Sequence, residues 1–150
     1  MAAAKADCIV SANFCPEFCQ PDYAFFTNSK RFEKLDLAAL PCPVVLTSNL
    51  RPLPQGTLAV NYDRLAAPDV QNASLGSNSV LMLLRLLRLC GAKAVLLAGA
   101  DGYKPGTPAY ADSLLHAHTG RGAAFNTAMA GAIKACGLDV TFITPSEYAK

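Results

Sequence analysis

Three segments of this chain carry residue types suited to holding a small polar molecule. Gly76-Ser77-Asn78-Ser79 stands just before a long apolar run. A Ser or Asn at a helix start can cap free backbone N–H groups, and the helix dipole makes the same place hospitable to phosphate or carboxylate. The segment equally suits an ordinary N-cap, and it is not a complete dinucleotide-binding or P-loop pattern. Gly99, Ala100, Asp101, Gly102 and Tyr103 follow a short aliphatic run. Asp101 there can accept hydrogen bonds from sugar hydroxyls, or it can bond its own backbone in a glycine turn. Asn28 and Lys30 lie in Thr27-Asn28-Ser29-Lys30-Arg31, which can take an anion or simply begin a helix with solvated cations.

His116 and His118, followed by Arg121, are the only histidines. Two ligands do not close a zinc site, so a solvated loop pair is the simpler expectation and no metal is assigned. Cys15 and Cys19 are separated by three residues, which is not the C-x-x-C spacing of redox and zinc motifs. No Ser-His-Asp or Cys-His order and no paired-carboxylate motif is present, so the catalytic residues are unassigned and no cofactor is required.

The elements that must position these residues alternate. Short strands are expected over Asp7–Asn13, Asp22–Asn28, Val44–Ser48, Thr57–Asn61, Ala94–Ala98 and Asp139–Ile143. Helices are expected over Ser29–Leu40, Ser77–Cys90 and Arg121–Cys136, with a loop or single helical turn over 62–75. Phe32, Leu35, Leu37 and Leu40 form the apolar stripe of the first helix, and Phe125, Met129, Ala132 and Ile133 that of the last, which Gly137 should terminate. Residues 99–120 form the long loop. This alternation predicts an α/β fold, a three-layer Rossmann-like sandwich with a mainly parallel sheet, in which ligands settle at helix starts and beyond strand ends.

At 150 residues the chain fits a single α/β domain, residues 1–150, without internal repeat or linker. Hydrophobic residues make up 52% and charged residues 16%, which suggests strands buried on both faces or a surface shared with another subunit. The net charge of +2 comes from scattered Lys and Arg, so nucleic acid is not an expected partner. Arg85 and Arg88 interrupt the longest apolar run, so no membrane span is expected. MAAAKADCIV makes a poor signal peptide, and six cysteines without secretory features suggest reduced thiols and a cytoplasmic location.

Four segments, PDYAFFTNSKRFEKL, VVLTSNL, GSNSVLMLLRLLRLCGAKAVLLAGADGY and FNTAMAGAIKACGLDVTFITPSEY, resemble the C-terminal domain of bacterial 4-hydroxy-2-oxovalerate aldolase-like proteins associated with polysaccharide biosynthesis. The resemblance implies a Rossmann-like domain following a metal-binding aldolase barrel. Nothing in this chain matches that barrel, which takes ~250 residues, so aldolase (lyase) activity is not carried over. The domain is also similar to the nucleotide-sugar-handling fold of bacterial sialyltransferase-like enzymes. There, segments like Gly76–Ser79 and Gly99–Tyr103 border the nucleotide crevice. Ala100 replaces the usual phenylalanine, and the segment with His116 and His118 is an unusual insert. The implied function is an accessory domain that binds a nucleotide, sugar phosphate or other small anion, with self-association or docking to an aldolase barrel. The alternatives are a stand-alone nucleotide-sugar-dependent transferase and an oligomerisation module.

Overall fold

β-Branched and aromatic residues without charge build the central strands. Val44–Thr47 is buried along its whole length, and Tyr23–Phe26 is buried at every residue after the first. A strand that is apolar on both faces belongs in the middle of a parallel sheet covered on both sides. The computed structural model bears this out. It describes residues 6–13, 19–33, 36, 39–66, 73–104 and 122–150.

The elements in chain order are β1 (Val10–Ala12), β2 (Tyr23–Phe26), α1 (Ser29–Phe32), β3 (Val44–Thr47), β4 (Leu58–Val60), α2 (Tyr62–Leu65), α3 (Ala73–Gly76), α4 (Ser79–Leu89), β5 (Ala94–Leu97), α5 (Ala123–Ala135) and β6 (Asp139–Phe142), followed by a 3-10 turn at Glu147–Ala149. The fold is α/β, and every described strand pairing is parallel. The chain divides into two compact units, residues 1–86 and 87–150, with the division inside α4.

In the first unit β1, β2, β3 and β4 lie side by side in chain order. Ala24 pairs with Val44 and Phe26 with Leu46, and these four pack with Phe32 and Leu50 into one hydrophobic cluster. Phe25 and Val45, on the opposite face, are buried as well. Residues 48–57 connect β3 to β4 without a helix, shorter than the dozen or so residues a parallel crossover usually takes. Leu50, fully buried, anchors that connection. Leu81, Met82, Leu83 and Leu84 of α4 are buried, and Arg85 Nη1 donates to the Leu65 carbonyl at 2.6 Å, fixing α4 to the end of α2.

The helix expected over Ser29–Leu40 is corrected to the single turn α1, since Glu33, Asp36 and Leu40 are not helical. At about 100° per residue Leu37 sits roughly 140° from Phe32, so the apolar residues do not share one helical face. Leu35 and Leu37 themselves lie outside the described residues.

In the second unit β5 and β6 pair in register from Ala94↔Asp139 to Leu97↔Phe142. Phe125, Met129 and Ile133, four residues apart, form the buried stripe of α5, while Ala132 is half-buried. Gly137 follows the helix at φ +66°, the left-handed conformation a glycine adopts without penalty. Arg88 Nη1 donates to the carbonyls of Cys136 and Gly137, neutralising the negative end of α5. A side chain at Gly137 would displace the end of that guanidinium.

Among the described residues no helix is long and apolar enough to cross a membrane. Within each sheet the strands follow chain order, so neither sheet alone contains the reversal at which doubly wound folds seat their ligands.

Candidate functional site

Because the four strands of the first unit are parallel, their carboxyl ends lie along one edge. Each runs into an asparagine within two residues: Asn13 after β1, Asn28 after β2, Asn49 after β3 and Asn61 after β4. Asparagine suits such ends because its short carboxamide bonds nearby backbone and it tolerates left-handed φ. Asn28 Oδ1 accepts from the Arg31 amide and Asn61 Oδ1 from the Arg64 amide, each at 3.3 Å, capping α1 and α2. Asn13 adopts φ +58°, and its Oδ1 accepts from the Thr27 amide at 3.2 Å.

Thr27 is the junction of this edge. Its amide bonds Asn13, and its carbonyl accepts from Asn49 Nδ2 at 3.3 Å. Its hydroxyl stands 2.8 Å from that of Ser79 in the first turn of α4. The ends of β1, β2 and β3 and the start of α4 are thereby tied to one buried residue. Ser48 Oγ adds a further link by accepting from the Tyr62 amide at 3.0 Å, which joins the end of β3 to α2.

Asn78 is the N-cap of α4. Its Oδ1 accepts from the amides of Val80 at 3.0 Å and Leu81 at 3.3 Å, donors that an anion at this helix start would otherwise use. Ser77, expected to open the helix, lies one residue outside the cap and is exposed, and Ser79 turns to Thr27. Asn28, Lys30, Ser77, Asn78 and Ser79 therefore all belong to the carboxyl edge or helix starts of the first unit. Lys30 is exposed.

Gly99, Asp101, Gly102 and Tyr103 belong to the second unit, beyond the end of β5. This loop is closed by the segment after β6. The Gly99 amide donates to Thr144 Oγ1 at 2.9 Å, Ser146 Oγ donates to the Ala100 carbonyl at 2.5 Å, and the Glu147 amide donates to the Asp101 carbonyl at 2.8 Å. Asn126 on α5 clasps Tyr103 at both ends of its residue, accepting from its amide at 3.0 Å and donating to its carbonyl at 2.8 Å. The Tyr103 ring meets Phe125 edge-on, with centroids 5.3 Å apart. Gly102 has φ +81°, and a Cβ there would stand 2.8 Å from the Glu147 Cβ. The glycine and tyrosine of this loop thus have structural partners, whereas the Asp101 side chain is exposed.

His116, His118, Arg121 and Cys15 lie outside the described residues. Among the described residues no three His, Cys, Asp or Glu side chains come together as a metal site requires. The Cys8 thiol is pushed up from its ordinary range, chiefly by burial and then by the charge of Asp22 and a hydrogen bond to it. Glu147 is held below the usual carboxylate range chiefly by its hydrogen bond to Lys150, which outweighs the opposing effect of burial, and the charges of Lys150 and Lys104 add lesser contributions in the same direction.

Sequence reasoning missed Asn13, Thr27, Ser48 and Asn49 as members of one edge, and Asn126, Thr144 and Ser146 as the clasp of the other loop. The recurrence of asparagine after successive apolar runs was the available signal for the first group. The second group had none, because its members bond across 23 to 46 residues of chain.

Comparison with protein-family models, with curated proteins and with solved structures finds no match to this chain.

Proposed function

We propose that the chain is an accessory, small-ligand-binding α/β domain whose first unit receives a nucleotide or sugar phosphate at the carboxyl edge of its four-stranded sheet. The observation that supports this is the convergence of three strand ends and the start of α4 on Thr27, which lines one edge with Asn, Ser and Thr side chains. Asn28, Asn61 and Asn78 each cap a helix with the Oδ1 acceptor, and a carboxamide carries two N–H donors besides. Such donors complement phosphate and sugar oxygens, and Lys30 adds a positive charge to the helix that Asn28 caps. The association with an aldolase-like polypeptide is part of the same proposal and rests on the four resembling segments alone.

The test is thermal unfolding of the full chain with cytidine and uridine nucleotides, nucleotide sugars and inorganic phosphate at millimolar concentration. A ligand at one hundred times its Kd stabilises the native state by about 2.7 kcal/mol, so Tm rises with concentration. Asn78→Asp provides the control. Aspartate caps a helix as well as asparagine does, yet it removes the donors and adds a negative charge. The ligand-induced rise should disappear in this variant while its unliganded Tm stays near that of the parent. No rise with any ligand, or an equal rise in Asn78→Asp, would overturn the proposal.

A further inference from the structure

We draw no further inference here: the strongest candidate, the exposed apolar face that Leu96 of β5 and Ile143 just past β6 present on the two-stranded sheet, carries nothing because nothing in the structure shows what covers it.

Discussion

The hydroxyl of Thr27 lies 2.8 Å from the hydroxyl of Ser79, joining the end of β2 to the first turn of α4 across 52 residues of chain. Thr27 is 6% exposed, so its hydroxyl must find a partner within the protein or lose the hydrogen bond it had with water. The pair therefore positions α4 against the sheet edge as well as contributing stability.

This coupling is measurable. Thr27→Val and Ser79→Ala should each destabilise the chain by about 1 kcal/mol, and the double variant should lose less than the sum, with a coupling of about 0.5–1.5 kcal/mol. Urea unfolding of the four proteins checks it. Strictly additive losses would mean that the two hydroxyls do not depend on one another.

Two glycines of the second unit should respond to alanine with opposite signs. Gly131 lies within α5 where a methyl group would face open space, so Gly131→Ala should stabilise by about 0.5–1 kcal/mol through helix propensity. Gly137 sits at φ +66° against the Arg88 guanidinium, so Gly137→Ala should destabilise by about 1 kcal/mol or more. Calorimetric Tm values of the two variants should fall on either side of the parent.

Cys8 should alkylate slowly for an exposed thiol, because its raised pKa keeps it protonated and the thiolate is the nucleophile. Asp22→Asn removes the neighbouring charge and should speed the reaction at Cys8 while leaving Cys90 unchanged. Peptide-resolved mass spectrometry of iodoacetamide-treated protein near pH 8 reports both sites. An unchanged rate at Cys8 would mean that the charge of Asp22 adds nothing to the effect of burial.

The lowered pKa of Glu147 has a definite sign in stability. A carboxyl more acidic in the folded chain stabilises it above the ordinary Glu pKa, and that contribution disappears as pH falls through the lowered value. Glu147→Gln should therefore unfold at a slightly lower Tm than the parent at pH 7, and the difference should shrink as the pH is lowered through the titration of the carboxyl. The difference is small because Lys104 and Lys150 are largely exposed.

Much of the candidate edge was legible as local signals. Asn28 before Ser29 and Asn78 before the apolar run at Val80 are helix caps by residue type, and the structure seats both as caps. Legibility ended where partners are distant: Asn13 reaches Thr27, Asn49 reaches the Thr27 carbonyl, and Asn126 clasps Tyr103. A side chain that bonds a neighbour three residues away announces itself by spacing. One that bonds across a sheet does not.

The amino-acid sequence by itself determined the α/β alternation and the strand at Val44–Thr47, because apolar runs and turn residues act within a few positions. It also determined the end of α5 at Gly137, since only glycine adopts that left-handed conformation without strain. Tertiary structure decided the register of the strands and the meeting of Thr27 with Ser79. Those outcomes depend on which surfaces the folded chain brings together, and no local preference encodes a contact 52 residues away.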